Sequence, residues 1–295
     1  MDAADASRRD DPLGGGVKLG GPGGHVALYL DTVGEMLLVI DVGNSNTVLG
    51  LYQGPRVVHT WRVSTLQRTT DEFGLMVLQL FAHEGVTIAE VSGVAVCSVV
   101  PSTIYAIEKA SRRYFKRTAR VLGKGADLGM AIRVDNPREL GPDRVVNCIA
   151  AMHRFEPPFL IVDFGTATTF DAVDASGAYV GGAIAPGLQI SADALFQRTS
   201  RLPRVEIVEP PRPIGTNTIS AMQSGLFWGY VGLVDGLARR CKEQLAPGQR
   251  VPCVATGGLA NLVGRACREI DDVDEHLTLA GLRLWFERPI AEEAG

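Results

Sequence analysis

The chain is predicted to be an α/β protein built by duplication, with a cleft between its two halves. Three observations point there. Leu37-Leu38-Val39-Ile40-Asp41-Val42-Gly43-Asn44-Ser45-Asn46-Thr47 is echoed by Phe159-Leu160-Ile161-Val162-Asp163-Phe164-Gly165-Thr166-Ala167-Thr168-Thr169 at a constant offset of 122 residues. Each copy is an apolar run of strand length, then Asp, one residue, Gly and a cluster of small hydroxyl or amide residues, which is the pattern of a tight β-hairpin with a carboxylate at its mouth. Each half then passes from strands into alternating helical and strand patterns. Turn chemistry alone accounts for one such hairpin, whereas a matched pair points to a repeated domain.

The elements follow in order. Strands are expected at 37–42, 47–53 and 57–64, with Gly54-Pro55 as a turn signal. Thr70 or Asp71 caps a helix through about His83, with Phe73, Val77, Leu80 and Phe81 on one face. Val91–Val99 reads as a buried strand, and Pro101 opens a helix to about Tyr114. Gly141-Pro142-Asp143-Arg144 opens another helix toward Phe155. The second half repeats the strand-rich start at 159–164, 168–174 and 178–185, around the turn Ala175-Ser176-Gly177. A long helix over roughly 216–245 carries Met222, Leu226, Val231, Val234 and Leu237, and a strand at 252–256 ends in Thr256-Gly257-Gly258, with helices to the end. The expected organisation is a disordered N-terminal extension over 1–35, a first domain over 36–150 and a second over 151–295. Gly14-Gly15-Gly16 and Gly20-Gly21-Pro22-Gly23-Gly24 give the extension a linker composition, without the apolar core of a signal peptide.

Composition narrows the function classes. The 295 residues are 46% hydrophobic and 21% charged, an ordinary globular balance. A net charge of −4 gives no support for nucleic-acid binding, and no apolar run approaches the roughly 18 residues of a membrane span. Five widely spaced cysteines without a Cys-x-x-Cys argue for reduced thiols in a cytoplasm and against a disulfide framework or structural zinc. The five histidines offer no ligand spacing, and neither a Walker A loop nor a Gly-x-Gly-x-x-Gly is present.

The chemistry-bearing residues cluster in the repeats. Asp41 and Asp163 each end a strand, where sheet geometry points ligands into the crevice beyond the carboxyl ends. Asn44, Ser45, Asn46 and Thr47 suit β- and γ-phosphates, with Thr166 and Thr168 or Thr169 facing them. Glycine and small hydroxyl residues admit a phosphate to backbone N–H groups, and a carboxylate holds the cation that neutralises it. A buried Asp without a partner is costly, so a bound metal or several N–H donors are expected. Gly257 and Gly258, between a strand and a helix, allow flat contact with a nucleobase or ribose. Asp143 beside Arg144 is either a first-turn charge complementing the helix dipole or a base for a hydroxyl coupled to a clamp for a carboxylate. Ile214-Gly215-Thr216-Asn217-Thr218 caps the long helix.

Together these motifs resemble the type III pantothenate kinases of the acetate and sugar kinase/Hsp70/actin superfamily. The likeness runs from Met36 to about Arg288 and rests on Asp41–Val48, Gly141–Arg144, Asp163–Thr168, Ile214–Thr218 with Ala221–Gly225, and Thr256–Gly258. The resemblance implies duplicated actin-like (ribonuclease H-like) domains with a nucleotide cleft between them. It further implies ATP-dependent phosphorylation of pantothenate, the opening step of coenzyme A synthesis. Carried over, Asp41, Val42, Gly43, Asn44, Ser45, Asn46, Thr47 and Val48 form the first phosphate loop, with Asp41 organising Mg2+ through water. Thr166, Gly257 and Gly258 contact ATP, and Asp163 binds K+ or NH4+. Gly141, Pro142, Asp143, Arg144 and Thr218 line the pantothenate site, with Asp143 as the catalytic base. The family implies a homodimer with the pantothenate and cation sites at its interface. Val134 stands where many relatives have Tyr, and Ser45 where Thr is common. Two other readings share these motifs: a nucleotide-binding regulator without turnover, and a kinase for another small hydroxy acid.

Overall fold

Among the described residues the chain forms two five-stranded sheets of one design. The computed structural model describes residues 35–123 and 128–288. The extension expected over 1–35 lies outside the described residues, save for Glu35.

The first half runs β1 (Met36–Val42), β2 (Asn46–Gln53), β3 (Arg56–Ser64), α1 (Thr70–His83), β4 (Val91–Ser98), α2 (Pro101–Ala110), β5 (Ala119–Val121) and α3 (Pro142–Met152). The second runs β6 (Phe159–Phe164), β7 (Ala167–Val173), β8 (Tyr179–Pro186), α4 (Leu188–Arg198), α5 (Thr218–Leu245), β9 (Cys253–Thr256), α6 (Ala260–Val263), β10 (Asp272–Val273) and α7 (Leu277–Glu287). Strand order is β3-β2-β1-β4-β5 in one sheet and β8-β7-β6-β9-β10 in the other. In each, the first three strands form an antiparallel meander and the last two join in parallel. The repeated phrase thus supplies the central strand of both sheets, β1 and β6.

Central strands are covered on both faces, which is why they read as unbroken apolar runs. Leu38, Ile40 and Val42 pack with Phe73, Val77 and Phe81 of α1 and Ile107 of α2. Leu37 and Val39, on the opposite face, pack with Val145, Val146 and Ile149 of α3 and Leu282 and Trp285 of α7. In the second sheet, Leu160, Val162 and Phe164 meet Phe227 and Val234 of α5, while Phe159 and Ile161 meet Cys148 and Ala151 of α3. Helix α3 is therefore shared: one side lies on the first sheet and the other on the second. Helix α7 returns from the far end of the chain to pack on β1, β4 and α3.

Several local expectations shift. Helix α1 is capped by Thr69, whose side chain accepts from the Glu72 N–H while Glu72 reaches back to the Thr69 N–H; the reciprocal pair outcompetes Thr70 or Asp71. The helix opened by Pro101 ends at Ala110 and passes into a wider turn at Ser111–Phe115, closed by Lys116 at φ 56°. The sequence pattern gave no sign of α4, whose Ile190, Leu195 and Phe196 are exposed while Leu188 and Ala192 are buried, so no single apolar stripe appears. Strands β5 and β10 are too short to show a period.

Close contact of α3 and α7 depends on Gly281, where an added Cβ would sit 1.9 Å from the Val146 carbonyl oxygen. Replacing Gly281 with Ala forces the helices apart, at a cost of about 1–3 kcal/mol. The Gly281→Ala variant should melt several degrees below the parent by calorimetry; an unchanged melting temperature would show that this approach is not tight.

Candidate active site

Strand alternation sets the direction of the two acids. In β1, Asp41 shares a face with Leu37 and Val39, and in β6, Asp163 shares one with Phe159 and Ile161. Both faces look toward α3. The hairpin turns beyond them are closed by Gly43 N–H to Asn46 O at 3.0 Å and Gly165 N–H to Ala167 O at 3.1 Å. The two loops meet directly, with Ser45 Oγ 2.8 Å from Thr166 Oγ1. Asp143 enters from the first turn of α3, where its Oδ1 accepts the Arg144 backbone N–H at 2.9 Å.

The result is a cleft of about 290 Å3 lined by Asp41, Asp143 and Asp163, by both hairpin loops and by the turn after β9. Withdrawal from water pushes the Asp41 carboxyl up to about 8, reinforced by Asp143 and Asp163 and opposed by Arg62. Burial likewise raises Asp163 to about 7, with the charges of Asp143 and Asp171 adding to it and a hydrogen bond from Asn147 opposing. Asp143 is also raised by burial, against the pull of Arg144. Fully buried Asn147 donates to Asp163 Oδ2 at 3.2 Å and accepts from Thr278 Oγ1 at 2.7 Å, so α3 and α7 jointly orient Asp163.

The donor set suits hard cations. It is all oxygen, and Thr256 Oγ1 is buried in the cleft wall without a hydrogen-bond partner. Among the described residues, no three His, Cys, Asp or Glu side chains converge tightly enough to hold an ion unaided. A cation here would complete its shell with water, main-chain oxygen or phosphate. Gly257, at φ 94°, lets the backbone pass beside Asp163, since a Cβ would lie 2.5 Å from Asp163 Oδ1.

Most predicted residues reach the cleft: Asp41, Gly43, Asn44, Ser45, Asn46, Val48, Asp143, Asp163, Thr166, Gly257 and Gly258. Six do not line it. Val42 and Thr47 point to the opposite face of the sheet, Val42 into the core and Thr47 to a 2.9 Å contact with Thr65 Oγ1. Gly141 and Pro142 form the start of α3. Arg144 is committed elsewhere: its Nε donates to Asp171 Oδ1 at 2.6 Å, and Asp171 also accepts from Tyr179 OH and Thr169 Oγ1, each at 3.1 Å. Thr218 is an exposed residue at the start of α5. Conversely, Arg62, Glu275 and Thr278 line the cleft although no motif marks them. Asn147 had one faint signal, its position four residues after Asp143 on the same helix face.

Comparisons with known proteins agree with this architecture. The sequence model of a family described as type III pantothenate kinase matches residues 37–240. A type III pantothenate kinase of Anaeromyxobacter sp. (strain Fw109-5) is 54% identical over 254 residues, covering 86% of this chain and 99% of that protein. Its counterpart in Myxococcus xanthus (strain DK1622) is 52% identical over 254 residues, covering 86% and 98%. Among solved structures, a protein described as a Baf family transcriptional activator from Campylobacter jejuni aligns with a TM-score of 0.54 at 17% identity, over 84% of this chain and 96% of that one. A protein described as a 2-dehydro-3-deoxygalactonokinase from Sinorhizobium meliloti aligns with a TM-score of 0.54 at 12% identity, over 84% and 97%. These two structures show a shared fold and nothing finer.

The raised Asp41 carboxyl has a consequence for stability. Its folded-state value of about 8 lies above the usual carboxylate range, so the stability tied to its proton is complete below about pH 4 and is lost as pH rises toward 8. Asp41→Asn carries no such proton. Without divalent cation or nucleotide, the melting temperature of Asp41→Asn relative to the parent should climb between pH 5 and pH 9. A difference that stays constant with pH would contradict the burial of this carboxyl.

Proposed function

The chain belongs to the type III pantothenate kinase family, and from that premise we propose how its cleft performs the family's reaction. The enzyme transfers the terminal phosphoryl group of ATP to the primary hydroxyl of pantothenate, giving 4′-phosphopantothenate and ADP, the first step of coenzyme A synthesis. One observation carries the mechanistic reading: three shielded carboxylates stand where two small-residue loops touch, at Ser45 and Thr166.

Asn44, Ser45 and Asn46 on one side and Thr166 on the other cradle the β- and γ-phosphates through backbone N–H and hydroxyl groups. Gly257 and Gly258 leave a flat approach for the nucleoside. Asp41 holds Mg2+ through water, and Asp163, oriented by Asn147, holds K+ or NH4+. These cations, when bound, neutralise the phosphates and the carboxylates together. Asp143 accepts the proton of the pantothenate hydroxyl as its oxygen attacks the γ-phosphorus and the bond to the bridging oxygen of ADP breaks. A carboxylate raised by burial is a better proton acceptor near neutral pH than an exposed one. Arg144 acts through Asp171, fixing the first turn of α3 and with it Asp143.

A homodimer would account for Thr218, which the single chain leaves outside the cleft. Ile214 and Ile219 flank Thr218 and are 80% and 52% exposed, and Ile184 is 67% exposed. With Ile190, Leu195 and Phe196 they give β8, α4 and the start of α5 an apolar character that water does not favour. Such a face supports a second copy that brings Thr218 toward a shared pantothenate site. All five cysteines are free, which supports a cytoplasmic setting, and the net charge of −4 supports small-molecule partners over nucleic acid.

Purified protein given ATP, Mg2+ and K+ should phosphorylate pantothenate. Asp143→Asn should retain ATP binding and lose roughly 10²–10⁴-fold in kcat; near-parental turnover in a folded Asp143→Asn variant would place the base elsewhere. Exchanging K+ for Na+ should slow the parent, and Asp163→Asn should abolish that difference. Equal parental rates in both salts would remove the monovalent cation from Asp163.

A further inference from the structure

Acidic groups accumulate in the cleft before any nucleotide enters it. Asp41, Asp143, Asp163 and Glu275 all line it, and a triphosphate brings several negative charges into their company. Among the described lining residues, Arg62 is the one Lys, Arg or His. It is exposed on β3, and no described carboxylate lies within ion-pair distance of its guanidinium.

Sheet register explains where this cation stands. Asp41 pairs with Val48 across β1 and β2, and Val48 pairs with Arg62 across β2 and β3. Residues in one such row project from the same face. The row therefore presents a carboxylate at one end, a guanidinium at the other and a short apolar side chain between them. Two strand spacings separate the ends, roughly 10 Å of backbone, which leaves room above Val48 for a phosphate group. The guanidinium also reaches the second half of the molecule: a Cβ on Gly258 would lie 3.4 Å from Arg62 Nη1. Arg62 thus spans the mouth of the cleft from the first sheet to the turn after β9.

We infer that Arg62 binds the terminal phosphates of ATP from the side of the cleft opposite Asp41 and serves as the protein's own countercharge for the phosphoryl group in transfer. The inference rests on the kinase reading above and adds to it a residue that no motif marks. Physical reasons favour this role over a structural one. A guanidinium presents a planar fork of donors that matches phosphate oxygens. A fixed positive charge in a partly enclosed site gains strength as charge develops on the transferred group. An arginine that braces the fold is held in an ion pair with a buried carboxylate, as Arg144 is with Asp171.

The test compares the parent with Arg62→Gln and Arg62→Lys in two arms: steady-state rates against ATP at saturating Mg2+, K+ and pantothenate, and equilibrium binding of ATP and of AMP in Mg2+. Arg62→Gln should lose roughly 10²–10³-fold in kcat/KM for ATP. Its ATP affinity should fall at least about tenfold while its AMP affinity changes by less than about twofold, because AMP lacks the terminal phosphates. Arg62→Lys, a point charge without the fork, should fall between parent and Arg62→Gln. Rates within about twofold of the parent, or equal losses for ATP and AMP, would overturn the inference. A parent that binds ATP without phosphorylating pantothenate would overturn the kinase reading instead, and the binding arm would still judge Arg62.

Discussion

Asp41, Asp143 and Asp163 face one another across a cleft that withdraws them from water, and Asp143 adds to the proton affinity of both Asp41 and Asp163. Left alone, such a group of carboxylates opposes folding. On the proposed reading it is tolerated because cations and phosphates are received at that point. Both central strands end there, both hairpin loops touch there, and the shared helix α3 begins there. Asn147 and Thr278 add a part-buried hydrogen-bond chain that holds Asp163 in place. The packing of α3 against both sheets is what converts two separate strand ends into one site.

Duplication gives the two halves the same sheet but different duties. Asp41 and Asp163 occupy corresponding places in β1 and β6, yet their neighbours differ. Across β2 from Asp41 lies the row that ends in Arg62, whereas Asp163 pairs with Thr169, whose hydroxyl bonds to Asp171. The second half thus supplies the buried Asp171, which pairs with half-buried Arg144 and braces the start of α3, a kind of pair that is costly to break because one charge would be left uncompensated. The first half keeps its arginine at the mouth of the cleft. A symmetric repeat has in this way become an asymmetric cleft, with an arginine at its mouth on one sheet and a carboxylate that braces the start of α3 on the other.

Much of this was legible in the chain because it is local. The repeated phrase marked β1, β2, β6 and β7, and the glycine and hydroxyl positions marked the loops that meet at Ser45 and Thr166. Val42 and Thr47 were placed with the site by motif, but the two-residue period of a strand turns them away once Asp41 and Val48 face the cleft. Arg144 looked available because its partner, Asp171, lies 27 residues away on another element. Arg62, Glu275 and Thr278 were invisible for the same reason: register and long-range packing bring them in. Thr278 depends on α7 returning across the molecule to the first sheet, which no local pattern foretells.

The central claim is that the carboxylates of the cleft exclude a bare triphosphate and admit one only with its cation. Calorimetric titration of the protein with ATP, once in Mg2+ and once in a chelator, tests this directly. ATP should bind more than about tenfold more weakly without Mg2+, and Asp41→Asn, with one fewer ionisable carboxyl, should narrow that gap. Equal affinity in the two conditions, or a gap unchanged by Asp41→Asn, would contradict the account.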